Sequence, residues 1–556
     1  MAVDWHQNQV IYQIYPKSFY DYDQDGVGDL QGIIAKLDYL KTLGVTTLWL
    51  NPIFVSPQRD NGYDVSNYFA IDPMFGTMAD FEALVAAVHQ RGMYLILDFV
   101  LNHTSDQHPW FLDACRSRDS PFRDYYIWAD GQGDREPNNW ASFFGGSVWQ
   151  KEPQTQQYYF HLFNQQMPDL NWRNPEVRQA MLEIAEFWVD KGIDGLRLDA
   201  FIHIAKAALD QDYPGLEDQL TVAEFYVANL PEVNQYLEAF VSALKRKQPD
   251  LFILGEAASA DTTLLAQYTD PTRSRCDAAV TFRTLVDRPI VEDRDLPFRV
   301  QRKEIDVLEM QQQFAAISAQ VPAPPVLYWN NHDMARTVDR YPMFGDKNDY
   351  LAAMAMAMYL QRGIPIIYYG EELGQAGEVF DNLNDFEDIV SLNWIMQDPR
   401  MSLSPTEFLA HLNRVHKMTA RGAMHWAPGE YHGFSQTRPW KIGVTTEGTA
   451  DVVTESKMPH SLLHFYQQLL QLRQQKIFVQ GAQYFMMVPK DVYAYRRQCG
   501  QQQIAVVANL SGDAHEVTLP SVAKEIWLQR GEAIIDGQKI KMAPVSCLAV
   551  ALEDIK

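Results

Sequence analysis

Short apolar runs alternate with longer stretches of helical periodicity through most of this chain. The runs are Val10–Tyr15, Thr47–Leu50, Tyr94–Phe99, Gly195–Leu198, Phe252–Gly255, Ala278–Phe282, Val326–Trp329 and Pro365–Tyr369. Each is short enough for a strand, and most are apolar throughout, as strands buried on both faces are. Strands that alternate with helices predict βαβ units, and eight of them predict an α/β fold of the (β/α)8 barrel type. Side chains at the carboxyl ends of barrel strands converge on one pocket. Four chemistry-bearing clusters stand at such ends: Asp98 to His103 in LILDFVLNH, Asp199 in DGLRLDAF, Glu256 in LFILGEAAS, and Asn331 to Asp333 in LYWNNHD. The pattern thus predicts one pocket with several carboxylates and two histidines.

The alternation is interrupted twice. Between the third and fourth runs lies a Gly-, Asn- and Trp-rich stretch with Asp130-Gly131-Gln132-Gly133, Pro137-Asn138-Asn139-Trp140 and Gly145-Gly146, which predicts a loop-rich insertion. After the last run a second loop-rich stretch carries Trp394, Trp426 and Trp440. From about Gly481 the pattern changes to short alternating strands, VYAYRRQ, IAVVANL and HEVTL, which predict a small antiparallel β-sandwich. The expected organisation is a first barrel part at 1–103, an inserted domain at 104–172, a second barrel part at 173–480 with its own insertion at about 371–458, and the sandwich at 481–556.

Composition narrows the function. At 556 residues with 47% hydrophobic and 12% aromatic content, the chain can fill a large core. A net charge of −24 would repel a polyanion, so nucleic acid and anionic membrane are poor partners. No basic segment followed by an apolar stretch opens the chain, and the longest apolar stretch, Leu351 to Leu360, is too short for a bilayer. A soluble, cytoplasmic protein is expected. Cys115, Cys276, Cys499 and Cys547 lie far apart without metal-type spacing, so reduced, buried thiols are expected.

One loop predicts a metal. In Asp21-Tyr22-Asp23-Gln24-Asp25-Gly26-Val27-Gly28-Asp29 the acids Asp21, Asp23, Asp25 and Asp29 fall at relative positions 1, 3, 5 and 9. That spacing curls a loop around a hard cation such as Ca²⁺, with Gly26 permitting the turn and the Val27 carbonyl at position 7. Mg²⁺ is the alternative ion. A solvated acidic turn is the alternative structure, because the twelfth-position Glu of a full EF-hand is absent.

The segments DFVLNH, GLRLD, LGE and NNHD, with MPDLNW at Met167 to Trp172, resemble the short motifs of the α-amylase superfamily of glycoside hydrolases. The resemblance runs from QVIYQIYPKSF through NPIFVSPQRDNGYDV to IYYGEELG. MPDLNW and the Asp21–Asp29 loop resemble the group of oligo-1,6-glucosidases, α-glucosidases, dextran glucosidases, sucrose isomerases and trehalose-6-phosphate hydrolases. The resemblance implies Asp199 as nucleophile, Glu256 as general acid/base and Asp333 as a carboxylate that stabilises the transition state. Glycoside cleavage with retention needs such a pair, one ionised carboxylate and one protonated. Arg197 is then expected to keep Asp199 ionised while apolar neighbours and the other acids raise Glu256. The resemblance further implies that His103 and His332 bind sugar hydroxyls, that Asp60, Tyr63 and Arg421 clamp the terminal glucose, and that Phe144 and Phe163 wall the pocket.

Two departures stand out. ARTPMQW in the group reads Ala420-Arg421-Gly422-Ala423-Met424-His425-Trp426 here. The residue after the nucleophile is Ala200, where Val accompanies α-1,6 preference in the group and Ala or Thr α-1,4. The implied activity is a retaining, exo-acting α-glucosidase on short α-linked glucose oligosaccharides, α-1,4 preferred. Oligo-1,6-glucosidase, trehalose-6-phosphate hydrolase, and sucrose isomerase or transglucosylase are the alternatives.

Overall fold

Eight parallel strands form the centre of the computed structural model: β1 (Ile11–Ile14), β2 (Thr47–Leu50), β3 (Tyr94–Val100), β4 (Gly195–Asp199), β5 (Phe252–Glu256), β6 (Ala278–Val280), β7 (Val326–Leu327) and β8 (Ile364–Tyr368). Their order is β6-β5-β4-β3-β2-β1-β8-β7, a barrel sheet that is nearly closed. Across the remaining seam the Tyr328 hydroxyl donates to the Thr281 carbonyl at 3.0 Å. All eight predicted runs are strands. The sixth is shorter than its apolar run because Thr281 accepts from the Arg283 amide and caps a 3-10 turn over Phe282–Thr284. The structure describes residues 5–553 except 134, 215–218, 294–295, 298–299, 387–391, 393–394, 397, 399–400 and 445–449. Trp394 lies outside the described residues.

The helices that ring the barrel carry the predicted signals at their ends. In α1 (Met78–Gln90) Thr77 and Asp80 form a capping box. In α2 (Pro175–Asp190) Asn174 caps the Glu176 amide and Pro175 takes the first helical position, where no N–H is needed. Then come α3 (Pro231–Lys247), α4 (Val307–Gln320), α5 (Lys347–Tyr359) and α6 (Leu462–Arg473). α5 contains most of the chain's longest apolar stretch, and its residues Tyr350 to Tyr359 are all buried. It packs on α6 and on the carboxyl-terminal sheet at once, so it has no face left for polar residues. Among the described residues no helix is long and apolar enough to cross a membrane.

The carboxyl-terminal strands form a five-stranded sheet in the order β9 (Ala482–Phe485), β10 (Val492–Cys499), β11 (Gln502–Asn509), β16 (Ser546–Leu552), β13 (Ala523–Arg530). A three-stranded sheet has the order β12 (His515–Thr518), β15 (Lys539–Met542), β14 (Ala533–Asp536). Val507, Val550, Val517 and Ile540 share one apolar cluster between the two sheets, which makes the unit an antiparallel sandwich. Tyr493 and Tyr495, with side chains in the barrel-side core, place the opposite face of the larger sheet on the barrel. The four cysteines form no disulfide; Cys276 and Cys547 are buried, whereas Cys115 and Cys499 are only half-buried.

Between β3 and β4 a small sheet of Trp128–Ala129, Tyr158–Phe160 and Trp149–Lys151 covers the strand ends. Its cluster of Trp140, Trp149 and Phe160 also takes in Ala223 and Val227 from the connection after β4. Two loops distant in sequence therefore build one wall above the barrel.

Candidate active site

Arg197, on β4 and 2% exposed, organises the centre of the site. Its Nη1 meets Asp98 Oδ1 at 2.7 Å and Asp199 Oδ1 at 2.5 Å, and its Nη2 meets Glu256 Oε2 at 2.8 Å. One guanidinium fork thus holds carboxylates from β3, β4 and β5. Asp98 is further fixed by Trp49 Nε1 at 3.2 Å and the Tyr63 hydroxyl at 3.0 Å. Immediately after Asp199, Ala200 adopts a left-handed backbone (φ 47°, ψ 24°), a strained conformation for a residue with a Cβ. The kink turns the Ala200 amide toward Glu256 Oε2 at 3.2 Å. Gly255 is required beside it, since a Cβ there would lie 2.6 Å from Cys276 Sγ and 2.7 Å from the Phe201 ring.

A second network holds His332 and Asp333. Gln13 Nε2 donates to His332 Nδ1 at 2.8 Å, which puts the proton of the neutral ring on Nε2. Nε2 faces the Tyr63 oxygen at 2.6 Å and Asp333 Oδ2 at 3.1 Å. The Tyr63 ring runs nearly parallel to the His332 ring at 7°, offset with 5.4 Å between centroids. Arg421 donates from Nε to the His332 carbonyl at 2.9 Å and from Nη2 to Asp333 Oδ1 at 3.3 Å. Asp60 is close enough for its charge to act on Arg421. The buried Asp64 accepts from the Arg59 and Asp60 amides and from Ser56, which shapes the loop carrying Asp60 and Tyr63. The departure at Gly422 has a steric reason, because a Cβ there would lie 2.2 Å from Glu378 Oε1.

His103 differs from His332. Lys206 Nζ donates to Asn102 Oδ1 at 2.7 Å, so the Asn102 amide nitrogen points at His103 Nδ1 and leaves the ring proton on Nε2. That Nε2 is buried without a hydrogen-bond partner, although the Tyr63 carbonyl is near enough for its dipole to favour a ring proton.

These networks surround one cavity of about 440 Å³, within the range of small-molecule sites. Asp60, Tyr63, His103, Phe144, Phe163, Asp199, Ala200, Glu256, His332, Asp333 and Arg421 line it, while Arg197 sits beneath. The model of the α-amylase catalytic domain matches residues 13–481, most of the chain. This chain belongs to the α-amylase family. A model of the α-amylase SusG carboxyl-terminal domain matches 492–547. An oligo-1,6-glucosidase of Halalkalibacterium halodurans is 36% identical over 530 residues, 94% of this chain and 93% of the relative. A trehalose-6-phosphate hydrolase of Escherichia coli is 38% identical over 518 residues, 91% of each. A solved structure titled "Family GH13_31 enzyme" superposes with a TM-score of 0.89 at 45% identity, covering 99% of this chain and 100% of the other.

The cavity is also lined by residues that sequence reasoning did not single out: Phe143, Met167, Ile202, His203, Glu224, Ala258, Ser259, Phe282 and Lys417. Met167, Ala258 and Ser259 lie in quoted motifs, Ile202 and His203 just past one, and Phe282 at the end of the sixth run, whereas Phe143, Glu224 and Lys417 come from loops whose course no periodicity signals. Lys206, also missed, is buried with its ammonium on Asp169 Oδ2 at 2.6 Å and on the His203 carbonyl, and so ties the insertion to β4.

Around Arg197 the charges and burial pull against one another. Burial pushes Asp199 well above the usual carboxylate range; Arg197 opposes this, and Glu256 and Asp98 add to it. Asp98 is likewise pushed up by burial against Arg197, to about 6. Arg197 draws Asp199 toward the ionised form, as expected, but works against burial first and the neighbouring carboxylates second. The cluster as a unit therefore retains a proton readily. Asp333 behaves oppositely: burial raises it, but His332, Lys417 and Arg421 outweigh that and bring it down to about 2. Burial keeps His332 neutral down to about pH 3, so near neutrality the pull on Asp333 comes from the cations.

In the acidic loop, carboxylate oxygens of Asp21, Asp23 and Asp29 lie within 4.8 Å of one another. Asp25 is outside this set, its Oδ1 accepting from the Val27 amide at 2.8 Å. Asp29 also caps the following helix through the Gly32 amide at 2.7 Å. Burial, then neighbouring carboxylates, push Asp23 up, the direction a cation would reverse.

Proposed function

We propose that the chain is a retaining, exo-acting α-glucosidase that removes single glucose units from short α-glucosides, with α-1,4 links preferred. The observation that carries this reading is the pair Asp199 and Glu256 on the two tips of one guanidinium, both facing the cavity beside Asp333. Asp199 attacks the anomeric carbon while Glu256 protonates the departing glycosidic oxygen. Glu256 then takes a proton from water as its oxygen displaces Asp199 from that carbon. Asp333, Arg421, His103 and Asp60 hold the hydroxyls of the glucose, and Phe144 and Phe163 flank it.

Ala200 in the cavity wall supports α-1,4 preference, because its small side chain leaves room for an α-1,4-linked leaving ring. An α-1,6 preference is the second reading, favoured by relatives named oligo-1,6-glucosidase. A phosphorylated leaving sugar finds less support. Among the described lining residues that follow β4 to β6, from Ala200 through Glu224 and Ser259 to Phe282, none is Lys or Arg, and the Glu224 carboxylate opposes a phosphate. Asp21, Asp23 and Asp29 fit a hard cation, Ca²⁺ or Mg²⁺, in a structural role that shields their mutual repulsion.

The test is NMR of the first product together with product analysis on maltose, isomaltose, trehalose 6-phosphate and sucrose. α-Glucose appearing first supports the reading, and β-glucose first removes Asp199 as nucleophile. Asp199→Ala abolishes turnover, whereas Glu256→Gln spares activated fluoride or aryl glucosides whose leaving groups need no proton. Equal losses on activated and natural substrates would contradict the role of Glu256.

A further inference from the structure

We propose that a second cavity, walled by the inserted domain and the connection after β4, binds a phosphate group. Its volume is about 430 Å³, and among the described residues none lines both it and the active-site cavity. Arg118, Arg123, Arg173 and Lys206 line it, whereas Asp124 is the one carboxylate among its described lining residues. Four cations around one small space stand out in a chain with a net charge of −24.

Two of the four charges are matched. Lys206 Nζ meets Asp169 Oδ2 at 2.6 Å, and Arg118 Nη2 meets Asp130 Oδ1 at 2.9 Å. Among the described residues Arg123 and Arg173 form no ion pair. Arg123 is 5% exposed, yet its guanidinium donates to neutral oxygens: Nη1 to the Ala114 carbonyl at 2.7 Å, and Nη2 to Thr155 Oγ1 at 3.1 Å and Gln157 Oε1 at 2.7 Å. Its Cζ lies 3.3 Å from the centre of the Trp128 ring, so the group is held from one face as well as from its edge. Arg173 Nη2 is placed by the Lys206 carbonyl at 2.6 Å. Burying a cation is costly unless an opposite charge attends it. Like charges add to that cost, since Arg118 is close enough for its charge to act on Arg123, and Arg173 on Lys206. Asp124 can answer for one of the two unmatched charges, which leaves the other for a ligand. An oxyanion in the cavity supplies the missing charge, and phosphate oxygens match the guanidinium fork. The volume also admits a sugar that carries the phosphate.

Isothermal titration calorimetry with inorganic phosphate at constant ionic strength tests the site on the wild-type enzyme, Arg173→Gln and Lys539→Gln. Arg173 and Lys539 are both exposed, so the two variants should keep the wild-type melting temperature without phosphate. The wild type should show saturable binding. Arg173→Gln should weaken it by about tenfold to a hundredfold, the effect of one charge-assisted hydrogen bond lost. Lys539→Gln, on β15 of the carboxyl-terminal unit, should leave it unchanged. Glucose 6-phosphate, titrated against a glucose control, identifies the carrier: Arg173-dependent binding tighter than that of phosphate assigns the group to a sugar, and binding no tighter assigns free phosphate. No saturable binding of either anion, or binding that Arg173→Gln weakens no more than Lys539→Gln does, overturns the site.

Discussion

Arg197→Lys keeps a positive charge under the site but removes the fork. A lysine ammonium can approach one or two of the three carboxylates that Nη1 and Nη2 now reach at 2.5–2.8 Å. Each charge-assisted hydrogen bond lost is worth about 1.5–3 kcal/mol, so one or two lost bonds amount to roughly 2–6 kcal/mol in stability and orientation together. If about half of that falls on the transition state, kcat/KM drops on the order of tenfold to a hundredfold. The pH profile separates the two shares. Arg197 lowers the proton affinity of Asp98 and Asp199, against their burial. Weakening the cation raises both, so the pH at which the nucleophile ionises moves upward, and the acidic limb of kcat/KM shifts to higher pH. Initial rates on an aryl α-glucoside across pH, with thermal denaturation measured in parallel, read both quantities. A fall in melting temperature with an unmoved or down-shifted acidic limb would show that Arg197 only pins the fold.

Chelation provides an independent test of the acidic loop. With a cation at one hundred times its dissociation constant, removal costs about 2.7 kcal/mol, seen as a lower denaturation midpoint with the chemistry of the folded enzyme intact. An unchanged midpoint after verified metal removal would make the loop a solvated turn. Ala200→Val should tilt the kcat/KM ratio from maltose toward isomaltose by about tenfold to a hundredfold, the effect of roughly 1–3 kcal/mol in a pocket. Because φ at this position is +47°, the β-branched side chain should also lower stability, and an unmoved linkage ratio would leave Ala200 without a part in linkage choice.

Period and strand-end chemistry made the barrel legible: each of the eight short apolar runs became a strand, and DFVLNH, GLRLD, LGE and NNHD each ended at the mouth. What could not be read was anything set by a contact between loops. Asp199 and Arg197 sit two residues apart on one strand, which signals that their side chains meet. No spacing signals that the same guanidinium also reaches Asp98 on β3 and Glu256 on β5, so that one cation serves three carboxylates. Ala200 reads as an ordinary small residue, yet its left-handed backbone is what aims an amide at Glu256. Gly422 reads as a departure from the family pattern until Glu378 is found where a side chain would have been. In each case the sequence names the atom that does the chemistry, and a neighbour from another loop sets its charge or direction. Substitutions at those neighbours, more than at the acids themselves, should therefore tune which glucoside this scaffold prefers.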